Sequence, residues 1–310
     1  MRAVVLTSAE SRSPELVDLP SPEPQAGEVR VKLAAASVNG FDLSVAAGHT
    51  KAYMQHRYPL ALGKDFAGTV DAVGPDASGY AVGDRVFGTV TKEFLGDGSF
   101  AEYVTVPVQV GIAHLPEAVS FADGATLGLA GTAAYSAVDA ANIDADTSVL
   151  VVGATGGVGV QVVQLTAAAG AAVAGTSGTE AEAERSLGAT AIIDRTGDVV
   201  DQARKVFPDG ADVIIHLAGD PKVAAAAREG GTLVSTILFD PAQVPSNTVK
   251  LAPVMANPTP QLLTRIADAH VAGHTRTVIQ QTFTLEEISD AFAAFAGGTV
   301  GKIVLVINQG

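Results

Sequence analysis

The residues whose types and spacing point most directly to chemistry are Gly153-Ala154-Thr155-Gly156-Gly157-Val158-Gly159. Glycines between an apolar run and a helical pattern give a tight turn and let backbone N–H groups approach a pyrophosphate that side chains would hold off. Ala154 takes the first Gly position of G-x-G-x-x-G, while Gly156 and Gly159 keep the other two. The helix that follows offers free N–H groups and a partial positive charge to the phosphates. The turn is therefore expected to bind a dinucleotide through Gly153, Ala154, Thr155, Gly156, Gly157 and Val158. A tight turn without a ligand is the alternative that the glycines alone leave open.

The end of the next strand bears on which dinucleotide. An acidic residue about 20 positions on would bind the ribose 2′-hydroxyl and repel a 2′-phosphate. Here that place holds Gly175-Thr176-Ser177-Gly178-Thr179. Hydroxyls and free N–H groups can accept a phosphate, so Ser177 and Thr179 favour NADP(H), and Arg195, just past the third strand, can supply charge. Thr179 with Glu182 also fits a capping box, which would serve only the next helix.

These residues need a parallel sheet behind them, and the pattern supplies one. From Ser148 the chain repeats strand, turn and helix: strands at 148–152, 172–175, 191–194, 212–217 and 232–237, helices at 158–169, 179–187, 198–207 and 221–228. Such alternation predicts an α/β, doubly wound parallel sheet. The first third differs. Short apolar runs at 2–7, 28–37, 68–73, 85–89 and 101–106 lie between Gly and Pro, and several alternate in and out, which predicts antiparallel strands of a barrel-type domain. After helices at 260–271 and 285–295, with a strand at 277–283 between them, a last strand at 302–307 is expected to return to that first domain. The expected division is 1–120 with 258–310 for the barrel and 121–257 for the dinucleotide-binding domain.

Composition removes whole classes of function. With 310 residues, two domains are expected. Nineteen Lys and Arg against 33 Asp and Glu give a net charge of −14, which argues against a nucleic-acid partner or a polybasic membrane anchor. There is no cysteine, so no disulfide, thiolate nucleophile or Cys-ligated zinc can form. The N-terminus carries no apolar signal-peptide core and no run approaches ~18 apolar residues, so a cytoplasmic protein with no membrane span is expected.

Further motifs lie outside the glycine turn. They are Val38-Asn39-Gly40-Phe41-Asp42; Gly63-Lys64-Asp65-Phe66-Ala67-Gly68-Thr69-Val70; Gly83-Asp84-Arg85-Val86-Phe87-Gly88; Gly98-Ser99-Phe100-Ala101-Glu102-Tyr103; Gly131-Thr132-Ala133-Ala134-Tyr135; and Gly301-Lys302-Ile303-Val304. In this order they resemble the medium-chain dehydrogenase/reductase superfamily, and within it the zinc-free quinone oxidoreductase (zeta-crystallin-like) branch. The resemblance implies a GroES-like catalytic domain from both termini, an inserted Rossmann domain, and an active site in the cleft between them. It also implies a homodimer, and hydride transfer from NADPH to a quinone or an α,β-unsaturated carbonyl. Thr132, Leu217, Ala218, Ile237, Phe239 and Lys302 are then expected at the cofactor. Zinc-dependent members carry G-H-E where this chain has Gly63-Lys64-Asp65, together with cysteines that this chain lacks. No metal is therefore expected.

Reduction of such a substrate puts negative charge on oxygen as hydride arrives, and without a metal hydrogen-bond donors must stabilise it. The resemblance points to Asn39, with Tyr53 in the loop between Gly48 and Tyr58 and Lys64 at the place of a zinc-ligand histidine. Each has a plainer reading: a turn residue for Asn39, an apolar contact for Tyr53, an ion pair with Asp65 or another carboxylate for Lys64. His49 and His56 are expected to be solvated. The proton can come from solvent, so no general acid is assigned. An enoyl (thioester) reductase of the same superfamily and a non-enzymatic NADPH-binding protein are the competing readings.

Overall fold

The computed structural model describes residues 1–178 and 187–308. The chain divides into two compact units. One comprises Met1–Thr132, Pro258–Val271 and Ile279–Gly310, the other Ala133–Asn257 and Ala272–Val278.

The first unit is built on the ten-residue strand Glu28–Ser37, where alternation puts Val29, Val31 and Leu33 into the core. Strand Asp65–Val73 runs antiparallel along one side of it. On the other side Tyr103–Pro107 covers residues 28–32, and the C-terminal strand Lys302–Val306 covers residues 35–37. Arg85–Thr89 and Ile112–His114 extend the sheet beyond Asp65–Val73, and Ile279–Phe283 pairs in parallel with Lys302–Val306. A second sheet holds Glu15–Asp18, Arg2–Leu6 and Leu60–Ala61. The register places Asp65 opposite Ser37 and Val304 opposite Ser37. Three distant segments, 37–42, 64–65 and 302, thereby meet at one end of the sheet. The expected boundary after residue 120 falls after residue 132, because the short helix Phe121–Leu127 packs on the Glu28–Ser37 and Asp65–Val73 strands.

The second unit is a six-stranded parallel sheet. Its spatial order is Ala191–Asp194, Ala172–Ser177, Ser148–Val152, Ala211–His216, Ala227–Ser235 and Lys250–Pro253. Numbered along the chain this is 3-2-1-4-5-6, the order of a dinucleotide-binding sheet with its crevice where the order reverses. Ser148–Val152 sits at that reversal and is apolar because both faces are covered. Two details differ from the pattern. The helix expected over 221–228 is a 3-10 segment, Pro221–Ala226, and the next strand begins at once at Ala227. A sixth strand, Lys250–Pro253, occupies the edge, where Pro253 loses no ladder hydrogen bond. The helix expected over 179–187 lies, except for its last residue, outside the described residues.

Candidate functional site

In the second unit the glycine turn joins strand Ser148–Val152 to helix Gly157–Ala168. Each glycine does something different. Gly153 has φ +91°, a left-handed value that other residues rarely adopt, and its N–H donates to Thr176 Oγ1 at 2.9 Å. A Cβ at Gly159 would collide with the Gly153 carbonyl oxygen and lie 2.6 Å from that of Ala154, so this glycine is required by strand–helix packing. Gly156 is not constrained by the protein. Its φ is −69° and a Cβ there would meet nothing nearer than the Gly153 oxygen at 3.5 Å. It leaves a cradle that a side chain would fill, at the N-terminus of a twelve-residue helix whose first N–H groups have no intrahelical acceptor. Thr155, Gly157 and Val158 are partly exposed around this cradle and Ala154 is buried beneath it.

The flanks of the turn hold most of the other expected cofactor residues. Leu217 N–H donates to Val152 O at 3.0 Å, and the Leu217 and Ala218 Cβ atoms stand 3.3 Å from where a Gly153 Cβ would be. Ile237 and Phe239, two of the exposed large apolar side chains, follow the Ala227–Ser235 strand in a turn that Ser235 Oγ caps by accepting from Ile237 and Leu238 N–H. Ser177 is fully buried, and its hydroxyl has no partner among the described residues. Arg195 is exposed beside it and donates its N–H to Ser177 O at 2.9 Å. Its guanidinium makes no ion pair among the described residues. Thr179 lies outside the described residues. His216 is fully buried, its Nδ1 3.2 Å from Ser235 Oγ, and burial pushes its pKa below the ordinary value. These residues fit a dinucleotide: an open backbone cradle, apolar walls, and a strand end where a buried hydroxyl is followed by an exposed arginine.

In the first unit the meeting of 37–42, 64–65 and 302 makes a buried polar cluster. Asp65 is fully buried; its Oδ2 accepts from Ser37 Oγ at 2.9 Å, Asn39 Nδ2 at 2.9 Å and Lys302 Nζ at 3.2 Å. Its Oδ1 accepts from Leu129 N–H at 2.6 Å. Lys302 donates also to Asn39 Oδ1 at 2.6 Å and Val38 O at 3.1 Å, so its three hydrogens have three acceptors. Asn39 spends both Nδ2 hydrogens, on Asp65 and on Ser37 O at 3.3 Å. Thr132 is buried too, its hydroxyl donating to Gly128 O at 2.7 Å.

Asp42 and Lys64 adjoin this cluster. Asn39 begins the helix Gly40–Ala46, and Asp42 at its third position accepts from Asn39 N–H at 2.8 Å. Burial pushes the Asp42 carboxyl up to about 7; Asp65 adds to the rise, while the Asn39 N–H, Lys302 and Lys64 oppose it. Gly63, at φ +100°, packs against Phe100 and Ser99 and aims the chain into Lys64. The Lys64 ammonium donates to Val90 O and stands 5.5 Å from the Phe41 ring. No carboxylate is within ion-pair distance of it among the described residues, which differs from the ion pair weighed in the sequence. Burial lowers its pKa, partly offset by Asp42 and Asp65. Tyr53 is 69% exposed at the end of the 3-10 segment His49–Ala52, away from this cluster's hydrogen bonds. His49 is exposed, whereas His56 bonds Thr50 Oγ1 at 2.8 Å and Tyr58 OH at 3.2 Å. Asp42 and Asp65 carry no chemistry in the sequence reading; the signal was a charged residue inside each of two apolar segments. Among the described residues no group of three or more His, Asp or Glu side chains could hold a metal ion, and no helix is long and apolar enough to cross a membrane.

Comparison with known proteins agrees with this architecture. Residues 25–117 match the alcohol dehydrogenase GroES-like domain, and residues 187–305 match the zinc-binding dehydrogenase family. The chain is 30% identical to a quinone oxidoreductase of Lama guanicoe, covering 99% of this chain and 98% of that protein. It is 31% identical to 2-methylene-furan-3-one reductase of Solanum lycopersicum, covering 92% of this chain and 73% of that protein. It spans 61% of the length of a zinc-type alcohol dehydrogenase-like protein of Schizosaccharomyces pombe, with 34% identity over 69% of this chain. Among solved structures, the quinone oxidoreductase of Coxiella burnetii superposes with a TM-score of 0.86 at 24% identity, covering 99% of both chains.

Proposed function

The chain belongs to the medium-chain dehydrogenase/reductase superfamily, as an NAD(P)-dependent oxidoreductase of its quinone-oxidoreductase-like branch, and from that premise we propose that it reduces a quinone or an α,β-unsaturated carbonyl with NADPH. The observation that carries this reading is the cradle at Gly156. It is a space kept free of side chain at a helix N-terminus, where a pyrophosphate gains N–H donors and a favourable dipole. The exposed Arg195, whose backbone bonds Ser177 O, supports NADPH over NADH, because a 2′-phosphate needs a cation there and Ser177 stands at the strand end where an acidic residue would take the ribose.

When bound, NADPH supplies the hydride. The chain binds and orients the phosphates through the turn, holds the ribose side against Leu217 and Ala218, and offers donors to the oxygen that gains charge. Of the three donors expected from the sequence, Asn39 has no free hydrogen. Its work is to hold Lys302 against Asp65. Lys64 retains two N–H bonds beyond the one given to Val90, and takes the part of oxyanion donor. Tyr53 covers the substrate from the loop. This reading carries with it a cytoplasmic homodimer acting on small molecules.

The test is spectrophotometric. NADPH oxidation is followed with 1,4-benzoquinone, 9,10-phenanthrenequinone and an enal, and NADH is run in parallel. Turnover with NADPH preferred is expected. Tight NADPH binding without turnover of any acceptor would overturn the reading in favour of a non-enzymatic role.

A further inference from the structure

Asp42 and Lys64 come from different segments, yet line the same small cavity of about 20 Å³ in the first unit. Its other walls are largely apolar: Phe41, Val45, Leu60 and Leu95. A space of that size holds about one water molecule, and a water needs polar partners to stay. The two groups are also the least satisfied members of the polar cluster. Asp65 and Lys302 each spend their bonding capacity on fixed neighbours, whereas Asp42 accepts one backbone N–H and Lys64 donates to one carbonyl.

We propose that Lys64 and Asp42 form a proton-delivery pair, linked through a water in this cavity, in which Lys64 gives the proton that completes reduction and Asp42 restores it. This rests on the quinone or enone reductase reading above and adds the source of the proton. For an enone, hydride from NADPH forms a C–H bond at the β-carbon and the displaced electron pair leaves an enolate. A new C–H bond at the α-carbon takes the proton of a Lys64 N–H, and nitrogen keeps the pair. The neutral amine then takes the Asp42 carboxyl proton through the water, and solvent reprotonates Asp42. NADPH is oxidised, the enone is reduced, and one proton is consumed. For a quinone the same proton closes an O–H bond. Lys64 is the catalytic residue in this scheme, and Asp42 is a positioning and supply residue that acts through it.

The charged neighbours are consistent with one mobile proton. Asp42 faces Asp65 at the start of the strand Asp65–Val73, Lys302 on the C-terminal strand, and Lys64; its own helix, Gly40–Ala46, carries no other titratable side chain. Lys64 faces Asp42 and Asp65, and across the cavity lie Lys92 and Asp97, which pair with one another at 2.8 Å. Lys92 holds Glu28 as well, at 3.1 Å, so this second pair is closed on itself. Burial raises the Asp42 pKa and lowers that of Lys64, which brings donor and acceptor toward a common range, as proton transfer requires.

Two measurements test the pair. The first needs no substrate: infrared difference spectra of the full chain across pH, with and without NADPH. A protonated carboxylic acid band should titrate near pH 7 in the wild type. It should be absent from Asp42→Asn, and titrate at higher pH in Lys64→Met, because removing the ammonium disfavours the carboxylate. Asn keeps an acceptor for the Asn39 N–H; if that variant does not fold, the Lys64→Met spectrum decides alone. The second is the pH profile of kcat for an enone. General acids contribute roughly 10² to 10⁴-fold, so Lys64→Met should lose about 100-fold in kcat, with NADPH affinity by fluorescence held within about twofold. Wild-type kcat should fall as pH rises through Asp42's titration, and Asp42→Asn should lose that pH dependence along with about tenfold in rate. Lys64→Arg should not restore the rate, since guanidinium does not release its proton. No carboxylic band lost in Asp42→Asn, or an unmoved band and kcat in Lys64→Met, overturns the pair. A wild type that binds NADPH but reduces nothing overturns the reductase reading instead, and the infrared spectra still decide whether Asp42 and Lys64 share a proton.

Discussion

The glycine turn of the second unit and the polar cluster of the first are built on opposite principles. The turn works by lacking side chains: Gly153 supplies a left-handed backbone, Gly159 a close strand–helix approach, and Gly156 an open cradle. The cluster works by crowding side chains together, with two carboxylates and a lysine that are almost wholly buried, and an asparagine without a spare hydrogen. A backbone site tolerates loss of any one donor, because neighbouring N–H groups and the helix dipole persist. A buried charged cluster does not, because each member leaves another unpaired.

The sharpest way to break that contrast is to remove Asp65. Its carboxylate takes four hydrogen bonds and sits 3.2 Å from the buried Lys302 ammonium. Removing one partner of a buried ion pair costs about 3–5 kcal/mol because the other charge stays desolvated. Asp65→Asn should therefore lower unfolding free energy in urea by about that amount. The double variant Asp65→Asn/Lys302→Met should recover part of the loss. No recovery would mean that the pair does not behave as a coupled unit.

A smaller effect is expected at the turn, and of a different kind. Gly156→Asp should fold with nearly wild-type stability, because φ is ordinary and the Cβ has room. It should nevertheless lose about 100-fold or more in NADPH affinity, about 2.7 kcal/mol, by putting a carboxylate into the cradle proposed for the pyrophosphate. Gly159→Ala should show the reverse order, with stability lost first through collision with the Gly153 carbonyl. Fluorescence titration and thermal melts on the two variants separate these outcomes. Unchanged affinity in Gly156→Asp would remove the turn from the cofactor site.

This contrast also explains what the sequence made legible. The turn is contiguous, and its strand and helix carry their own periodicity, so both the motif and its support could be read locally. The C-terminal strand's return was legible because Lys302–Val306 is apolar and follows a complete doubly wound pattern. The cluster was not legible, because Asp65 and Lys302 are 237 residues apart and meet only through the register of three strands. The resemblance offers Asn39 as a donor, yet both of its hydrogens are taken by Asp65 and the Ser37 carbonyl, partners that only the strand register reveals. The helix expected at 221–228 gives way for a tertiary reason. Asp220 and Pro221 give a good helix start, but the strand Ala227–Ser235 is held by pairing with Ala211–His216, which overrides alanine propensity.

The smallest effect tests whether the backbone site relies on any side-chain charge at all. Arg195 is exposed, and its backbone N–H, not its guanidinium, ties it to Ser177. Truncation should therefore leave the strand end in place. An exposed cation facing a phosphate contributes modestly and is screened over about 10 Å at 0.1 M salt. Arg195→Gln should weaken NADPH binding by about tenfold or less at low salt, equivalent to about 1.4 kcal/mol. It should leave NADH binding unchanged, and the difference from wild type should shrink as salt rises. Equal weakening of NADPH and NADH would show that Arg195 supports the strand end and not the 2′-phosphate. No change with either cofactor would assign discrimination to Ser177 and its neighbouring N–H groups, which would make this turn a site of backbone and hydroxyls throughout.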